Sequence, residues 1–117
     1  MKFENKTSKS VAKGSFEEIA IEKGFFILTY KNENEAIEIV ERRIDSSYIQ
    51  FHFCIKGEAT FVFNQGAYRL PIYQDTSLLL YNPQRDLPIH LEVRPNCWLV
   101  SLVISLEKFH SLFSQQT

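Results

Sequence analysis

The chain has 117 residues, 13 Lys and Arg against 14 Asp and Glu, and a formal net charge of −1. That length suits one domain burying about two-thirds of its unfolded surface. The balanced charge gives no footprint for a phosphate backbone, so nucleic-acid binding by this chain is not expected. Aromatic residues make up 14%, ten of them Phe, which favours strands and a large core.

The first fourteen residues are polar and rich in Lys, Ser and Asn, and are expected to form a flexible tail. They lack the apolar segment of a signal peptide, and no apolar run approaches the ~20 residues needed to cross a bilayer. A cytoplasmic location without membrane contact is expected. Cys54 and Cys97 are not in a CxxC pair and read as buried free thiols in a reducing compartment; a disulfide requires the fold to bring them together.

From Ser15 to Ile44 the chain reads as three short strands. Phe16, Ile19 and Ile21 lead to a break at Lys23–Gly24. Phe25 to Tyr30 is almost continuously apolar, and 31–35 is a polar turn. The Glu-rich stretch 32–43 admits a helix, but Ile37, Ile39 and Glu41 alternate with Glu38, Val40 and Arg42, which favours a strand burying one face. Most glutamates from Glu17 to Glu41 read as a solvated face and turn.

Tyr48 to Ile55 has high strand propensity. Lys56–Gly57–Glu58 predicts a tight turn, with Ala59 to Phe63 returning as the hairpin partner. Asn64–Gln65–Gly66 is a second turn and 67–72 a third strand. The run 76–81 is too apolar for an edge facing water, and Asn82–Pro83 ends it. Leu87 to Val93 alternates, Arg94–Pro95–Asn96 turns, and Cys97 to Ile104 is strongly apolar. About ten short strands at this spacing predict a sandwich or barrel. The period then lengthens. Ser105 sits at an N-cap position, and Leu106, Phe109, Leu112 and Phe113 form one apolar stripe on a short helix.

Several features taken together identify a resemblance: Gly57 after a strand, the turn at Gly66, Asp75 before an apolar strand, Asn82–Pro83 at its end, and the passage from strand 98–104 into helix 106–113. From about Phe51 to Phe113 the chain resembles the N-terminal sensing domain of bacterial AraC-family transcription regulators. The resemblance implies an all-β, cupin-like jelly-roll barrel over 15–105, followed by the start of a dimerisation helix over 106–117. It implies a homodimer through Leu106, Phe109, Leu112 and Phe113, a small-molecule effector, and DNA contact only through a helix-turn-helix domain that this chain does not carry. Metal-binding cupins place two His and a Glu before the hairpin Gly and a third His after the Pro corner. Those positions fall near Ile44, Ser46 and Gln50, and near Leu87 or Pro88, so neither a metal nor another cofactor is expected.

No nucleophile elbow, phosphate loop or dinucleotide fingerprint is present, and no catalytic residue is assigned. Alternation puts Tyr48, Gln50, His52 and Cys54 on one face of their strand, with Ile49, Phe51, Phe53 and Ile55 on the other. Parity with the cupin Glu position points Gln50 and His52 into the barrel as polar groups of a pocket; the reverse places the Phe residues in the core. The candidate ligand-binding residues are Gln50, His52 and Tyr48, with Tyr81 and Arg85 flanking the Pro83 corner and His90 on a neighbouring strand. Arg85 suits an anionic ligand. The alternatives are a stand-alone metal-independent cupin, either isomerase-like or purely binding, and a dimerisation module with a filled barrel.

Overall fold

A computed structural model describes residues 15–114. The expected tail, 1–14, and the last three residues of the expected helix lie outside the described residues. Among the latter, nine strands precede one helix: β1 Ser15–Glu22, β2 Phe25–Asn32, β3 Glu38–Arg42, β4 Tyr48–Lys56, β5 Glu58–Phe63, β6 Tyr68–Tyr73, β7 Ser77–Leu80, β8 Ile89–Val93, β9 Cys97–Ser105 and α1 Leu106–Ser114. Residues 32–43 form no helix. None of the described helices is long and apolar enough to cross a membrane.

The strands form two antiparallel sheets, one of five strands in the order β1-β2-β9-β4-β7 and one of four in the order β3-β8-β5-β6. Apart from the β1–β2 and β5–β6 hairpins, every connection switches sheets. The inner faces meet in a core that includes Leu28, Tyr30, Phe61, Leu91, Leu99 and Val103. Alternation explains it: on β9, Cys97, Leu99, Ser101 and Val103 point inward, while Trp98 and Leu102 face out.

Three expectations change. The strands flanking Gly57 are not a hairpin: β4 pairs with β7 and β9, whereas β5 pairs with β6 and β8. Gly57 is a corner between sheets. Its φ is +81°, and a Cβ there would lie 2.8 Å from the Asn96 carbonyl oxygen and from Cys97 Cα. One residue of left-handed backbone lets the chain leave one sheet and enter the other.

Second, β7 is an edge strand despite its apolar character, and Leu79 is 56% exposed. Third, the glutamates are not all solvated: β3 turns Glu38, Val40 and Arg42 inward, the Arg42 side chain 11% exposed, and leaves Ile39 outside. The inversion has a partner on another strand. Glu18 of β1 takes Arg42 in a two-pronged ion pair, Nε to Oε1 and Nη2 to Oε2 both at 2.9 Å, with the guanidinium over the Phe26 ring. Glu38 accepts a hydrogen bond from Asn34. Glu18 and Glu38 are therefore buried rather than part of a solvated face. The helix starts as its sequence implies: the Ser105 hydroxyl accepts the Lys108 N–H at 3.0 Å.

Candidate functional site

The alternation of β4 turns Gln50, His52 and Cys54 inward, each at most 1% exposed, while Phe53 faces solvent. Their hydrogen-bonding groups are engaged by the protein itself. The Gln50 side-chain nitrogen donates to the Leu87 carbonyl at 2.7 Å. That fixes the amide, so its oxygen faces His52 Nε2, 2.9 Å away, and accepts the Nε2 proton. His52 Nδ1 is then a bare acceptor, and the Ser101 hydroxyl donates to it at 2.5 Å. Beyond Ser101 stands the Tyr30 hydroxyl, in the field of Arg42 and Glu18. Burial pushes His52 down to about 3, keeping the ring neutral, and pushes Tyr30 well above the usual phenol range. A polar chain thus crosses the interior from the Glu18–Arg42 pair to the Leu87 carbonyl.

That carbonyl belongs to the loop bordering an open cleft of about 730 Å³ at one end of the barrel. Phe63, Tyr68, Leu70 and Leu80 give apolar walls, and Asn82, Arg85, Asp86 and His90 a polar rim. A ladder of rings leads inward: Tyr68 to Phe63 at 5.8 Å, Phe63 to Phe61 at 6.5 Å, and Phe61 to His52 at 4.5 Å between centroids. Asn64 and Gln65, on the rim, both adopt left-handed backbone with φ of 53° and 56°.

The loop carrying Arg85 is held at both ends. The Asn82 side chain accepts the Gln84 N–H at 2.9 Å, and Asp86 accepts the Ser46 N–H at 2.9 Å. Nearby, His90 Nδ1 lies 3.2 Å from a Glu41 carboxylate oxygen, and Arg69 is paired with Glu92.

Of the residues the sequence singled out, Arg85 and His90 line the cleft, and Gln50 reaches its Leu87 wall from beneath. His52 lies deeper, behind Gln50. Tyr48 packs on Phe26 at 5.8 Å and lines a separate hollow with Arg43 and Asp45. Tyr81 is half-buried and does not line the cleft. On α1, Leu106 and Phe109 are half-buried, while Leu112 and Phe113 are exposed. Sequence reasoning missed Ser101, a serine at inward parity in the middle of CWLVSLVIS, and the Phe63–Tyr68 wall. At the other end of the barrel, Cys54 and Cys97 are buried free thiols set side by side. Among the described residues, no three His, Cys, Asp or Glu side chains converge to hold a metal ion.

No known family pattern and no curated protein matches this chain in sequence. Its shape does have relatives. A cupin superfamily protein from Desulfitobacterium hafniense DCB-2 superposes with a TM-score of 0.61 at 9% identity, covering 81% of this chain and 80% of that one. The fold is a cupin barrel. The cupin_2 domain of an XRE family transcriptional regulator from Enterobacter cloacae gives 0.58 at 13% identity, over 78% of this chain and 95% of that domain. An HTH_3 family transcriptional regulator from Vibrio cholerae gives 0.57 at 11% identity, over 86% of this chain and 58% of that one. The cupin likeness is one of shape, shared by stand-alone cupins and cupin domains of regulators.

Proposed function

We propose that this cupin is the small-molecule-sensing and dimerisation domain of a bacterial AraC-type transcription regulator, working in the cytoplasm and reading its effector at the barrel mouth. The observation that carries the binding role is the cleft itself: apolar, aromatic walls with one arginine, Arg85, on a loop held at both ends, beside an interior whose polar groups are already engaged. A pocket of this kind orients a ligand through few polar groups and derives affinity from its walls. The effector it suits is a small anion with an apolar or aromatic body, its carboxylate on Arg85 and its body on Phe63 and Tyr68. Support for the regulator comes from the helix after the last strand and from regulator cupin domains among the structural neighbours. DNA would be contacted by a helix-turn-helix domain outside this chain.

The test is an NMR titration of the labelled chain with phenylpropionate and with its neutral amide. The carboxylate should shift resonances of Phe63, Tyr68 and Arg85 at millimolar or lower concentration. Arg85→Gln should weaken it about tenfold or more, the loss of one charge-assisted hydrogen bond. Equal binding of the amide would remove the anionic class. An unresponsive cleft across a library of anionic and neutral ring compounds would remove the sensing role.

A further inference from the structure

The outer face of the five-stranded sheet carries an apolar row that crosses every strand in register. Ile19 pairs with Ile27, Ile27 with Leu102, Leu102 with Phe51, and Phe51 with Leu79. Two residues on, Val100 lies beside Phe53. Ile19 is 50% exposed, Leu79 56% and Phe53 43%. A groove of about 550 Å³ runs between Phe51, Phe53, Leu79 and Leu102. Monomers seldom leave a contiguous apolar patch of more than a few hundred Å² in water.

We propose that this face is where two copies of the chain pair. Three observations favour a second copy. Five strands at ~4.8 Å and three outward rows give a footprint on the order of 500 Å². A corrugated face buries more accessible area than its footprint, and α1, which packs on the same β9, adds the exposed Leu112 and Phe113. Together these approach the roughly 800 Å² that a stable interface takes from each partner.

The face is also self-complementary. β9 is the central strand, so a two-fold axis along it lays Leu102 on Leu102, Ile27 on Phe51 and Ile19 on Leu79. Every such meeting is apolar on apolar, as an isologous interface requires. In the next row Glu17 meets Ser77, and like charges meet only at the rim, Lys31 against Lys56, where water screens them.

Finally, residues 1–14 and 115–117 are poor covers by composition. Residues 1–14 hold only Met1, Phe3, Val11 and Ala12 as apolar side chains, and 115–117 hold none. The pairing is independent of what the cleft binds, and it assigns the sheet face, rather than the helix stripe alone, as the principal contact.

Sedimentation equilibrium of the 117-residue chain across the micromolar range tests this. The chain should be a dimer. Leu79→Asp and Phe53→Glu change exposed side chains, so each should keep the folded far-UV circular dichroism spectrum while weakening the dimer about tenfold or more. Phe113→Ser on α1 should weaken it less. A chain that stays monomeric at high micromolar concentration overturns the proposal, and so does a dimer that survives both sheet substitutions but is lost with Phe113→Ser. Open-ended aggregation in place of a dimer also overturns it, because a two-fold interface closes.

Discussion

The side chain of Gln50 donates to the Leu87 carbonyl, and that single bond sets the direction of every hydrogen bond behind it. With the amide fixed, His52 has one permitted tautomer, proton on Nε2, and must remain neutral to accept from Ser101.

A pH dependence follows. His52 is held at about 3 in the fold, against 6.5 in the open chain. Between those values the unfolded chain binds the proton and the folded chain does not, so acid favours unfolding. The stabilisation is complete above 6.5 and is lost as pH falls toward about 3, at up to ~1.4 kcal/mol per pH unit within the window. Urea unfolding at a series of pH values should show this slope. His52→Asn should be less stable at neutral pH by about 1–3 kcal/mol and should show a shallower slope. An unchanged slope would mean that carboxylates account for it.

Gly57 and Gly66 both have positive φ, 81° and 96°, but only Gly57 is crowded. Gly66→Ala should cost about 1 kcal/mol, the strain of left-handed backbone alone. Gly57→Ala adds the clash with Asn96 and Cys97 and should cost clearly more, measured as the difference in urea midpoints at equal m-value.

The Glu18–Arg42 pair is almost fully buried. Arg42→Met should destabilise by about 3–5 kcal/mol, because it strands the Glu18 carboxylate. Glu18→Leu with Arg42→Met should recover much of that loss. A double-mutant cycle in chemical denaturation measures the coupling. Additive costs would show that the two side chains act separately.

Cys54 and Cys97 lie within each other's reach, and burial raises both thiols, Cys97 to about 12. Cys54 also donates to the carbonyls of Lys56 and Gly57, at 3.3 and 3.4 Å. Both should resist an aromatic disulfide reagent in the folded chain and react at once in denaturant, because the thiolate is the nucleophile. Stoichiometric labelling without denaturant would show that this end of the barrel opens.

The turns were legible because they need particular residues: Gly24, Gly57, Gly66 and Asn82–Pro83 announce themselves. Faces were partly legible. On β4 the parity argument put Gln50 and His52 inside, where they are. On β3 the same alternation is symmetric, and only Glu18, 24 residues earlier, makes Arg42 the inward residue and Ile39 the outward one. Strand neighbours were not legible. Gly57 joins two strands by one residue, which reads as a hairpin until the partners of each strand are known. The Ser101–His52 and Gln50–Leu87 bonds span 49 and 37 positions, beyond any local pattern. The cleft hid for the same reason: its walls come from β5, β6, β7 and the loop before β8.

The closed polar chain across the interior separates two burdens that many binding proteins place on the same residues. Tyr30, Ser101, His52 and Gln50 keep the barrel standing. The Asn64–Gln65 rim and the Arg85 side chain shape the cleft and contribute little to the core. Ancestral duplicates of such a barrel can exchange rim and loop residues and acquire new chemical tastes without risking collapse. Specificity in this architecture is free to drift while the scaffold stays under its own, separate selection.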